Sequence, residues 1–176
     1  MAVVFSAIIA GTFIASALSK LRSRSAWSGF VKSIDALELP VLRLASIATG
    51  VVASGVVGFE LAIAVFVIIP RTSVYGLSLA LILLTAFCAV ILFAIRNKRT
   101  AECRCFGVTG QPLGPVHIAR NLLIMSIAAC GLFVSGLPIG QLTPMEITVV
   151  VLVSLVGVGV IASFDELFGL FSRERR

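Results

Sequence analysis

Residues 74–95 read V-Y-G-L-S-L-A-L-I-L-L-T-A-F-C-A-V-I-L-F-A-I. No charged side chain interrupts the run. As an α-helix it would be about 33 Å long, enough to cross the roughly 30 Å hydrocarbon core of a bilayer. Four further runs of the same kind lie at about 3–19, 53–69, 118–137 and 144–164. Of the 176 residues 59% are hydrophobic and 12% charged, and the mean hydropathy is +1.14. That charged share is about half of what a soluble domain carries. A soluble globular domain, a disordered chain and a disulfide-stapled secreted module are therefore excluded. The chain reads as a single integral-membrane domain over 1–176, all-α, with five spans and the lipid bilayer as its surroundings. No repeat, heptad or low-complexity linker interrupts it.

The stretch from 41 to 69 is too long for one perpendicular span, at about 44 Å. Arg43 lies near its start, and Gly50, Gly55 and Gly58 lie in its middle. The pattern predicts a partly embedded amphipathic piece over about 41–52, a bend, and a span over 53–69 ending at Pro70. The first run ends in the small residues Ala15-Ser16-Ala17, as a cleavable signal would. No Lys or Arg precedes it, however, and a signal peptide wants one. A retained span is expected.

Charge predicts the orientation. Lys20, Arg22, Arg24, Lys32 and Arg43 follow the first span, and Arg96, Lys98, Arg99, Arg104 and Arg120 separate the third from the fourth. Arg173, Arg175 and Arg176 end the chain. Thirteen of the 14 basic residues thus fall on one side, and Arg71 alone on the other. The positive-inside rule places the N-terminus outside and the C-terminus in the cytoplasm. It also accounts for the net charge of +6 without nucleic acid as a partner.

The least membrane-like segment is the loop at 96–117, R-N-K-R-T-A-E-C-R-C-F-G-V-T-G-Q-P-L-G-P-V-H. Its glycines and prolines predict a structured turn region rather than a helix. It holds Cys103 and Cys105, as C-R-C-F-G, and the single histidine, His117. Two thiols one residue apart can be oxidised and reduced together. Exchange needs an accessible sulfur with thiolate character. Arg104, Arg99 and Lys98 favour the thiolate, and Glu102 opposes it. A disulfide across one residue closes a tight ring, which suits transfer more than stapling. The alternative is a pair of idle thiols.

Cys88 and Cys130 lie inside the third and fourth spans, about 12 Å and about 15 Å from the same ends by helical rise. They could relay electrons from the loop, or simply pack as small apolar residues. His117 could assist thiol deprotonation, or cap the following helix. The cysteine spacing fits neither zinc nor haem, so no metal site is expected. Glu60 stands in the middle of an apolar run, in G-F-E-L-A. Such a carboxylate needs a partner or a proton. Lys20 is the best partner, with Arg43 and Arg120 as alternatives. The pair would either fix helix packing or carry protons.

Several pieces together resemble a known family. G-T-F-I-A-S-A-L-S-K-L at 11–21, followed by Phe30, and F-E-L-A around Glu60 resemble the first two spans of DoxX-like membrane proteins. C-R-C-F-G at 103–107 with A-R-N-L-L at 119–123 is similar to the methylamine utilisation protein MauE branch of that superfamily. The resemblance covers roughly residues 5–135. It implies a DoxX-like four-helix transmembrane bundle, here with an additional C-terminal span, in a bacterial inner membrane. It implies a role in maturing an extracytoplasmic enzyme, methylamine dehydrogenase, with a thioredoxin-like partner. Carried over, Cys103 and Cys105 are the redox pair of a thiol–disulfide oxidoreductase. Glu60, Lys20, Arg120 and Asn121 are the polar framework around them.

A cytoplasmic cysteine loop would require electrons to cross the membrane. The intramembrane cysteines could carry them, a quinone could (the one candidate cofactor), or the loop could fold back into the bundle. Two other functions compete. One is a non-catalytic subunit or assembly scaffold with dispensable cysteines. The other is a small proton-linked transporter using Glu60, which lacks the paired half-repeats of transporters.

Overall fold

The computed structural model describes residues 2–37, 48–97, 102–103, 111–112, 114–135 and 143–164. Among them are five helices long and apolar enough to cross a membrane, so the protein is a multi-span all-α membrane protein. These are α1 (Ala2–Leu21), α3 (Thr49–Ile68), α4 (Ser73–Arg96), α5 (Pro115–Val134) and α6 (Pro144–Ala162). A shorter helix, α2 (Arg24–Asp35), follows α1, and two-residue strands β1 (Glu102–Cys103) and β2 (Gln111–Pro112) lie between α4 and α5.

α2 stands where the sequence reading saw only a basic connection. Ser23 starts it, its hydroxyl accepting from the Ala26 amide at 3.0 Å, which satisfies one of the open N–H groups of the first turn. Phe30 and Ile34 are buried, whereas Arg24, Ser28, Lys32 and Asp35 are exposed. That spacing is the signature of an amphipathic helix. The amphipathic piece expected at 41–52 is not seen as such. Residues 41–47 lie outside the described residues, and 49–52 form the first turn of the spanning helix α3. No bend separates them from the rest of α3, because three glycines in an apolar helix lower its propensity without breaking its hydrogen bonds.

α3 stops before Pro70. Ile69 is extended there (φ −83°, ψ 115°), the conformation a following proline imposes. The Thr72 hydroxyl closes the turn by donating to the Phe66 carbonyl at 3.0 Å. α4 then runs back along α3 at close range. A Cβ built on Gly76 would lie 2.7 Å from the Val67 backbone nitrogen, so only glycine permits this approach. α5 opens with Pro115, three residues before the expected start, and so takes His117 out of the loop and into its first turn. α6 opens with a capping box. The Thr143 hydroxyl accepts from the Glu146 amide at 3.3 Å, and Glu146 Oε2 accepts from the Thr143 amide at 2.8 Å.

α1 is the centre of the assembly. It packs against α3, α5 and α6, and α4 closes the ring between α3 and α5. The main core joins Ile9, Ile63, Leu77, Ala80, Ile124 and Ala128, with Ile161 of α6. A second cluster packs Phe30 and Ile34 of α2 onto Ala17 of α1 and Ala53 and Val57 of α3.

Candidate functional site

One face of α1 carries Thr12, Ser16 and Lys20 at one-turn spacing, and all three are buried. Glu60 of α3 meets them. Lys20 Nζ donates to both of its carboxylate oxygens, at 2.8 and 2.9 Å, and to Ser16 Oγ at 2.7 Å. Ser16 Oγ in turn donates to Glu60 Oε1 at 2.9 Å. Both charged side chains are 1% exposed. The Phe30 ring of α2 covers the ammonium, its centroid 5.2 Å from Nζ. An isolated charge at such a position would be expensive. A paired charge whose donors are engaged and whose open side faces an aromatic ring is tolerable. Lys20 is therefore the partner that Glu60 takes.

A small cavity adjoins the pair. Space for water-sized molecules amounts to about 30 Å³, bounded by Thr12, Ser16, Glu60, Arg120 and Asn121 on its polar side and by Phe13 and Phe87 among its apolar walls. His117, Arg120 and Asn121 project from the first turns of α5 and are all buried. The structure thus brings Lys20, Glu60, Arg120 and Asn121 to one internal polar region. Thr12, Ser16 and Phe30 belong to the same region, and the sequence reading did not single out their roles. The signal was available, since Thr12 and Ser16 stand eight and four residues before Lys20, on its helical face.

The cysteines are distributed differently. Cys103 lies on β1, paired through the backbone with Gln111 of β2 in an antiparallel register, and β1 runs beside α2. Most of the turn region expected here, including 104–110, lies outside the described residues. Cys105 lies outside the described residues. Cys88 is half-buried on α4 and Cys130 is exposed on α5, both as free thiols.

A bundle of five apolar helices enclosing a charged, hydrogen-bonded interior defines the chain as a polytopic membrane protein. The sequence profile of the methylamine utilisation protein MauE family matches residues 1–134, and the chain belongs to that family. The match ends at the last residue of α5, so α6 lies beyond it. No curated protein and no solved structure is significantly similar to the chain.

Proposed function

We propose that this protein is an integral membrane thiol–disulfide redox protein whose working pair is Cys103 and Cys105. The observation that carries the reading is the presence of C-R-C-F-G in a MauE-family chain, with Cys103 on a short strand that lies beside α2. The partner is a thioredoxin-like protein, and the pathway matures an extracytoplasmic enzyme such as methylamine dehydrogenase. The membrane is the bacterial inner membrane, with the basic end of the bundle cytoplasmic.

The exchange balances without a cofactor. A thiolate of the pair displaces one sulfur of the partner's disulfide and forms a mixed disulfide. The neighbouring cysteine gives up its proton, attacks the bridging sulfur of its neighbour, and releases the partner's second thiolate, which takes a proton. Two electrons have then passed from Cys103 and Cys105 to the partner. The reverse sequence oxidises the partner. A quinone remains the one candidate carrier if electrons leave through the bilayer, and Cys88 and Cys130 the candidate protein relay. Glu60, Lys20, Arg120, Asn121 and His117 are assigned to the polar framework inside the bundle.

The test is substitution with trapping. Cys103→Ser or Cys105→Ser should abolish maturation of the partner enzyme, and the remaining cysteine should accumulate a mixed disulfide on non-reducing gels. Full maturation by a variant lacking both cysteines would sink the proposal in favour of a scaffold. An impermeant thiol reagent applied to each side of sealed vesicles in turn reports which face holds the pair.

A further inference from the structure

We infer that the outer face of α2 is a seat for the phosphate headgroups of anionic phospholipids. Arg24, Ser28 and Lys32 recur there at one-turn spacing, and all are exposed. Two further exposed cations lie at the same end of the bundle, Arg22 just before the helix and Arg96 at the end of α4. The ends of α2 and α4 are held together, since Leu37 packs against Ala94 and Val90. The one exposed carboxylate of α2, Asp35, ends the same face one turn beyond Lys32, where it accepts from the Thr49 hydroxyl at 3.3 Å.

The other face of α2 locates the helix relative to the bilayer. Phe30 and Ile34 are pressed onto Ala17, Ala53 and Val57, which belong to spanning helices. Trp27 is half-buried at the start of α2, its ring centroid 6.3 Å from that of Phe30. Tryptophan and cationic amphipathic segments favour the headgroup level of a membrane. At that level lipid phosphates are the anions always within reach, and guanidinium groups match them in bidentate fashion. A soluble acidic partner would have to compete with them. At the opposite end of the bundle the described residues hold Arg71 as the exposed cation, with Glu146 there too. The inference is independent of the redox reading.

The test uses the full chain in lipid nanodiscs with equal amounts of phosphatidylglycerol and phosphatidylcholine, followed by native mass spectrometry of the retained lipids. The wild-type protein should retain phosphatidylglycerol preferentially. R24Q/K32Q should lower that preference by roughly tenfold or more, and R71Q should leave it in place. Raising the salt should weaken the wild-type preference, a reading that needs no variant. Equal retention of both lipids overturns the inference, as does an unchanged preference in R24Q/K32Q or an equal loss in R71Q. Displacement of phosphatidylglycerol by soluble polyglutamate overturns it in favour of an acidic protein partner.

Discussion

α1 and α6 both have 19-residue apolar spans, yet 39% of the apolar stretch of α1 is buried inside the protein and only 11% of that of α6. The difference follows from what surrounds each helix. α1 has helices on three sides and carries Thr12, Ser16 and Lys20, whose polar atoms find protein partners. α6 packs principally on α1 and presents Val149, Leu152, Val153, Leu155, Val156 and Val160 outward. A hydrocarbon solvent cannot satisfy polar groups, so they concentrate where protein replaces lipid. The family match stops before α6, and the residues named in the polar interior and its cover all lie on α1–α5.

The largest expected effect breaks the interior of α1. Lys20→Met leaves the Glu60 carboxylate buried without its ammonium. Such a loss costs about 3–5 kcal/mol, measured as reduced stability to heat or to added denaturing detergent. The double variant Lys20→Met/Glu60→Leu should recover a large part of that cost, because it removes both charges. A single variant as stable as wild type would show that the pair contributes nothing to the contrast between the helices. A smaller effect is expected where α3 meets α4. Gly76→Ala pushes a methyl group toward the Val67 backbone and should cost about 1–3 kcal/mol in the same assay. The smallest effect lies at α6. Thr143→Ala removes its cap and should cost about 1 kcal/mol, seen as earlier hydrogen exchange at the first turn of α6 while α1 stays protected.

The spans were legible because twenty apolar residues in a row have few other uses. The Glu60 partner was legible for a related reason. A carboxylate inside a span needs a partner or a proton, and Lys20 closes a span on an otherwise uncharged helix. α2 escaped because Arg22, Arg24 and Lys32 drew the reading toward a loop. Its apolar residues Trp27, Phe30, Val31 and Ile34 nevertheless follow helical spacing. Ser16 escaped because a serine in a span commonly bonds its own backbone, as Thr12 does to the Ile8 carbonyl at 2.7 Å. Only the tertiary arrangement places the Ser16 hydroxyl between an ammonium and a carboxylate. The redox assignment of Cys103 and Cys105 rests on motif and family. Spacing alone distinguishes a reactive pair from an idle one poorly, since reactivity depends on surroundings the two residues do not encode.

The Lys20–Glu60 bond joins residues 40 positions apart, with α2 between them in the chain. During synthesis the lysine emerges from the ribosome well before the glutamate that neutralises it. The buried pair can therefore form only after α3 has been made. Lys20 stands at the end of α1, where its ammonium can reach interfacial water until the carboxylate of α3 replaces that water.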